Sequence, residues 1–263
     1  MTPTREIRLP GEGLLPPSTK PLPPADIRPN ERVRVIPPCP PWQPQTKEDL
    51  VALSKDPNLP QLDRRYWRMQ DAFEDQPRGL IVAWKNDPGT GAPRYGSGYG
   101  VGRLPDVSVF EVKPEEAGLE LPDFFQGNGL FAVSTRLLEI LLEADADAIV
   151  HKPILFVDAA GTVFDDHHHY IDVVRNVEAV DFANSVVDYD AGDQYEGEDL
   201  PWISLGYVSS RMVDLDPQIK IFRQKGLYGG GRSCFVTDDL KQRIEAVSPP
   251  IRNVAFHPLY TMF

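Results

Sequence analysis

The feature that most constrains this chain is a unit that occurs twice. The first copy reads FAVSTRLLEILLEADADAIVHKPI from Phe131 to Ile154, and the second CFVTDDLKQRIEAVSPPIRNVAFHPL from Cys234 to Leu259. Each reads as a short apolar strand, a hydroxyl residue, a helix, a turn and a second apolar strand closed by proline. Two copies of one supersecondary unit predict a body built from two similar halves.

The helix signals are local. Ser134 and Thr237 stand at the N-cap positions, where a hydroxyl oxygen accepts from an unpaired N–H of the first turn. Asp238 and Asp239 place negative charge in the first turn of the second helix, which suits the helix dipole. Leu240, Ile244 and Val247 make one apolar stripe, and Leu137, Leu141 and Ala144 make its counterpart. Leu138, Ile140 and Leu142 extend the first stripe round most of that helix. Such a helix is either covered on both sides inside the body or offers a face to a partner.

Strands are predicted at Gly79–Trp84, Val107–Val112, Ile154–Val157, Tyr170–Val174, Ile203–Val208 and Ile219–Phe222. Tyr66–Phe73 fits a strand or a short helix, Thr46–Lys55 a capped helix, and Leu121–Phe125 a helix start or a turn. Strands and helices mix without regular alternation. The expected class is therefore α+β, with mixed sheets and the two strand-helix-strand units at about 129–157 and 233–259. Prolines crowd residues 1–44, which predicts an extended arm over 1–60 that forms neither helix nor central strand. The folded body is expected over 61–263. A partner recruited through the arm makes a scaffold the alternative role.

A chain of 263 residues with 41% apolar residues can bury a core. Two cysteines, Cys39 and Cys234, are no disulfide framework and suit a reducing compartment. The N-terminal MTPTREIRLPGEG lacks a signal-peptide core, and no segment has the length of a membrane span. The expected location is the cytoplasm. A net charge of −12 disfavours nucleic acid and anionic membranes and favours a basic protein partner. The same charge also serves solubility alone.

Catalytic chemistry finds little support. Glycines 96, 98, 100 and 102 lead into Leu104-Pro105-Asp106 and not into a capped helix, so the stretch reads as a loop tip, not a phosphate cradle. On a regular strand Asp165, His167 and His169 would share one face, a partial site for zinc or iron, which makes a metal-dependent enzyme the alternative function. The plainer reading of that run is a polar hairpin edge. Ser134 and Thr237 are spent as caps, Ser209-Ser210 has no neighbouring histidine, and Cys234 lies in an apolar strand where a thiol is inert. No catalytic residue and no cofactor are expected, and the function points to binding. The densest charge is DYDAGDQYEGED. There Asp188, Asp190, Asp193, Glu196, Glu198 and Asp199 would steer a basic partner, and Tyr189 and Tyr195 would anchor it. A solvated loop is the alternative.

Three segments carry a likeness to a known family. They are Leu121-Pro122-Asp123-Phe124 with Phe131-Ala132-Val133-Ser134; Tyr170-Ile171-Asp172-Val173 with Asp181; and Ile219-Lys220-Ile221-Phe222-Arg223 with Cys234-Phe235-Val236-Thr237 and Val254-Ala255-Phe256. Together they resemble family eleven of the immunity proteins of bacterial polymorphic toxin systems. The likeness spans about Leu121 to Leu259, more weakly from Arg65, and leaves out the first 60 residues. Thr237 stands where the family often has serine, and Cys234 where an aliphatic residue is commoner. The resemblance implies a cytoplasmic antitoxin that binds a cognate protein toxin and blocks it by occlusion. Toxins that attack nucleic acid are commonly basic, which would complement the acidic chain.

Overall fold

The computed structural model describes residues 4–8, 32–36, 65–72, 81–87, 100–102, 104–112, 121–127, 130–181, 185, 187–190, 202–205, 212–224 and 234–258. Its strands are β1 (Thr4–Arg8), β2 (Arg32–Ile36), β3 (Tyr66–Asp71), β4 (Ile81–Trp84), β5 (Ser108–Val112), β6 (Phe124–Gly127), β7 (Leu130–Ser134), β8 (Ile149–Val157), β9 (Val163–Val173), β10 (Asn176–Val177), β11 (Val187–Asp190), β12 (Trp202–Leu205), β13 (Ile221–Gln224), β14 (Cys234–Thr237) and β15 (Val254–Pro258). Two helices are described, α1 (Thr135–Asp145) and α2 (Asp238–Glu245).

Both repeated units fold as strand, helix, strand, and both share one further trait. In each, a third strand runs antiparallel between the two. β9 lies between β7 and β8, and β3 lies between β14 and β15. The registers correspond: Phe131 opposite Ile171 and Ser134 opposite His168 match Cys234 opposite Met69 and Thr237 opposite Tyr66. A hairpin partner completes each set, β6 beside β7 and β13 beside β14. The first set widens into a six-stranded sheet of order β4-β5-β8-β9-β7-β6, and the second into a five-stranded sheet of order β10-β13-β14-β3-β15. The fold is α+β, as the mixed pattern implied.

The two units bury one common core. Phe131, Val133, Ile171 and Val173 of the first sheet join Met69, Ile221, Cys234 and Val236 of the second, with Leu137, Leu138, Leu141, Leu240 and Ile244 from the helices. Each sheet also buries its other face. Ala132, Phe125, Phe156, Phe110 and Tyr170 cluster behind the first, and Phe222, Phe235 and Tyr66 behind the second. Burial on both faces explains why β7 (LFAVS) and β14 (CFVT) read as runs of apolar residues and not as alternations. α1 buries Leu137, Leu138 and Leu141, keeps Ile140, Leu142 and Ala144 partly buried against the core, and exposes Glu139 and Glu143.

Several expectations change. The stretch Leu121–Phe125 begins no helix: Phe124 and Phe125 open β6. Of the stretch Tyr66–Phe73, the residues Tyr66–Asp71 form a strand, and Phe73 lies outside the described residues. The proline-rich stretch does form an inner strand. β2 lies between β1 and β11 in a four-stranded sheet of order β1-β2-β11-β12. Its sequence RVRVI contains no proline, so every residue keeps the N–H that pairing requires. The helix expected at Thr46–Lys55 lies outside the described residues.

Candidate functional site

The side chains that organise the molecule sit where the two units meet. At the start of α1 the Ser134 oxygen accepts the Leu137 N–H at 3.4 Å while its hydroxyl donates to Asp123 at 2.6 Å. The Arg136 Nε donates to Asp123 at 2.7 Å, and the Arg252 backbone N–H does so at 2.8 Å. Arg136 also donates to the carbonyls of Pro249 and Pro250, so this group ties α1 to the segment after α2. Burial alone would raise the Asp123 carboxyl. The donors from Arg136, Ser134 and Arg252 outweigh it and hold the group below the usual carboxylate range.

The second helix lacks such a side-chain cap. Thr237 occupies the N-cap position, yet its side chain makes no capping bond. Its hydroxyl turns to the Lys220 carbonyl at 3.5 Å. The Asp238 carboxylate instead accepts from Trp67 Nε1 at 2.8 Å and from Gln242 at 2.6 Å. Thr237 thus holds the expected N-cap position without the expected bond to a helix N–H, because its hydroxyl is engaged by the Lys220 carbonyl and the Asp239 carboxylate.

A buried ion pair joins the sheets. Asp172 on β9 and Arg223 on β13 are 0% and 2% exposed and lie 2.9 Å apart. Arg223 also donates to the Val173 carbonyl at 2.8 Å and lies over the Phe131 ring. Asp172 accepts the Gly100 N–H at 2.7 Å. Gly100 has φ +85°, which a side chain would strain, and it is where the glycine-rich stretch returns to the described fold. On the other side of α1, Asp145 accepts from Arg175 at 2.7 Å and from the Lys220 N–H at 3.1 Å.

The histidine run behaves unlike a regular strand. The β8–β9 register shifts between Ile154 and Phe156, so Ile154 faces His168 while Phe156 faces Asp165. The extra residue on β9 is a bulge. It brings Asp165 against His168, whose Nδ1 lies 2.7 Å from the carboxylate and whose Nε2 lies 3.0 Å from the Pro122 carbonyl. Asp165, His167 and His169 are not brought together on one face. His167 is 80% exposed, and His169 packs its ring against His151 and its Nε2 3.2 Å from the Thr135 hydroxyl. Among the described residues no three His, Cys, Asp or Glu side chains gather in a metal-holding group. Burial would raise the Asp165 carboxyl, but His168 and the His167 N–H hold it low. Burial, with His151 and His168 nearby, holds His169 below the usual imidazole range.

The acidic segment is divided. Asp188, Tyr189 and Asp190 lie in β11, and Asp193, Tyr195, Glu196, Glu198 and Asp199 lie outside the described residues. In register, Asp188 stands opposite Arg34 and Asp190 opposite Arg32. Pattern reading missed this pairing, although the alternating arginines of RVRVI were its visible signal. It also missed the ion pair of Asp172 with Arg223 between the sheets and the pairs of Asp123 with Arg136 and Lys220 with Asp239 within the units, although Asp123, Asp172, Lys220 and Arg223 all lie in the segments that carry the family likeness.

Two split strand-helix-strand units around one core, tied by buried charges, define an α+β protein built for internal cohesion. The model of the Immunity protein family (Imm11) matches residues 26–261, and the chain belongs to that family. The match begins well before Arg65 and takes in β2, so the likeness extends into the proline-rich stretch. No curated protein matches the chain. No helix among the described residues is long and apolar enough to cross a membrane.

Proposed function

We propose that this chain is the cytoplasmic immunity partner of a protein toxin and neutralises it by covering it. The observation that carries the reading is the family match over residues 26–261. The described side chains support a binder: the polar groups between the units are spent on one another, as a rigid platform requires. Its action is contact, with no cofactor.

Electrostatics sets the approach. A chain of net charge −12 attracts a basic toxin and speeds encounter. The contact segment is Asp188 to Asp199. Because Asp188 and Asp190 stand opposite Arg34 and Arg32, the steering charge falls to Asp193, Glu196, Glu198 and Asp199, with Tyr189 and Tyr195 as anchors.

The test uses the toxin domain encoded by the adjacent reading frame. Co-expression should rescue growth, and mixing should give a stable complex. Converting Asp193, Glu196, Glu198 and Asp199 to Asn or Gln should lower the association rate about tenfold or more at low salt and flatten its salt dependence. An unchanged rate and salt slope would remove this segment from the interface.

A further inference from the structure

β8 and β9 carry two histidines on one face of the first sheet. His151 stands opposite Ile171, and His169 stands two residues before Ile171 on the same strand, so the two are diagonal neighbours. Ile171 belongs to the common core, which places both rings on the side of the sheet that α1 covers. The rings lie 5.5 Å apart and nearly perpendicular, at 78°. We infer that His151 and His169 together bind one divalent late transition ion, of the class of zinc and copper. The inference is independent of the toxin-binding reading, which needs no ion.

Thr135 decides which nitrogen of His169 is offered. Its hydroxyl lies 3.0 Å from the His167 carbonyl and 3.2 Å from His169 Nε2. A carbonyl only accepts, so the single hydroxyl proton goes to His167. The Thr135 oxygen then accepts from His169 Nε2, which fixes the proton of the neutral ring on that nitrogen. Nδ1 is left with its lone pair. That atom is shut off from solvent and makes no hydrogen bond. Most buried polar atoms find a partner, so a bare lone pair here points to a ligand. A ring held by an oxygen at its other nitrogen is also the arrangement that orients metal-bound histidines.

The spacing agrees. An ion bound at about 2.1 Å by both nitrogens, with tetrahedral angles, sets two imidazole centres roughly 5 Å apart. The observed separation is close to that, and a turn of the exposed His151 ring brings its nitrogen to the ion without moving the core. Imidazole suits zinc, copper and nickel, whereas magnesium and calcium take oxygen ligands. Two protein nitrogens leave further positions to water. The ion is therefore an exchangeable one, unlike the closed four-ligand sites that hold small folds together. Period-two spacing along β9 grouped His169 with Asp165 and His167, but the ladder gives it a histidine of β8 instead.

Calorimetric titration of the whole, tag-free chain with Zn²⁺ tests the inference, with Mg²⁺ as the control. Zn²⁺ should bind saturably and Mg²⁺ should not. His151→Asn should weaken the Zn²⁺ binding about tenfold or more. Because His151 is exposed, that variant should unfold at the wild-type temperature when no ion is added. His167→Asn removes a second exposed histidine and should leave the affinity unchanged. Thr135→Val keeps both ligands but releases His169 Nε2, and should cost about 10- to 100-fold in affinity. Zn²⁺ binding that is unchanged in His151→Asn, or no saturable binding to the wild-type chain at millimolar Zn²⁺, overturns the inference. Should Thr135→Val fail to fold, His151→Asn decides alone.

Discussion

Arg136 and Asp239 hold the same place in the two helices, the second residue of α1 and of α2, and they carry opposite charge. Each pairs with the residue just before the neighbouring hairpin strand, Arg136 with Asp123 and Asp239 with Lys220. Each of those residues also gives its carbonyl to the N-cap N–H, Asp123 to Ser134 at 2.8 Å and Lys220 to Thr237 at 3.0 Å. The two units thus keep one geometry and exchange its charges. In both, a carboxylate ends up beside the helix N-terminus, from Asp239 itself in α2 and from Asp123 across the strand in α1, as the helix dipole favours.

The two pairs should respond differently to charge reversal. Arg136→Asp sets a second carboxylate against the buried Asp123 and should cost about 3–5 kcal/mol of stability. Swapping in the partner charge, Asp123→Arg with Arg136→Asp, should fail to restore it, because Asp123 also accepts from Ser134 and the Arg252 N–H. The equivalent swap in the second unit, Lys220→Asp with Asp239→Lys, involves an exposed pair and should stay within about 1 kcal/mol of wild type. Urea midpoints at constant slope measure all three.

Breaking the buried pair between the sheets is a separate case. Arg223→Met removes the guanidinium from beside the buried Asp172 side chain, and should cost about 3–5 kcal/mol. Adding Asp172→Asn removes the charge and leaves an oxygen for the Gly100 N–H, so the double variant should be more stable than Arg223→Met alone. Chemical denaturation of the two variants decides the order.

Stability should decline on the acid side of neutrality. The fold lowers His169 below its ordinary 6.5 by burial and by the nearby His151 and His168, and lowers His257 by burial and Arg68. Both groups bind a proton more readily when unfolded. Their contribution is complete above pH 6.5 and is lost as pH falls below it. The carboxylates Asp123, Asp165 and Asp239 are held below their ordinary 3.8, so their contribution is lost only at lower pH. A double His169→Gln, His257→Gln chain should lose less stability than wild type between pH 7 and 5 by urea titration. Equal slopes would contradict the assignment.

Cys234 should resist thiol reagents until the protein unfolds. Burial pushes its thiol up to about 12, so no thiolate forms at ordinary pH. Mass spectrometry after alkylation at pH 8 should find Cys234 unmodified in buffer and modified in denaturing urea.

Much of each unit was legible because its signals are local. The apolar strands, the Ser134 cap and the stripes Leu137–Leu141 and Leu240–Ile244 all follow from neighbours within a few residues. β6 was misread because Pro122 and Asp123 imitate a helix start, whereas its true cause is pairing with β7. The face shared by Asp165, His167 and His169 failed at a bulge, which period-two counting cannot foresee. β2 was missed by reading proline density over a long window while the five residues that pair contain none.

By itself the sequence determined the repeated strand-helix-strand unit, the α+β class, the acidic character and the family likeness, since each rests on spacing, composition or motif. Tertiary structure alone decided which strand enters each unit, that Asp172 meets Arg223 and Asp123 meets Arg136, and that β15 stands last among the described strands of its sheet. The physical reason is distance along the chain. Asp172 and Arg223 are 51 residues apart, and β3 precedes the unit it completes by well over a hundred. Such partners are chosen by the burial of a common core, which no local pattern encodes.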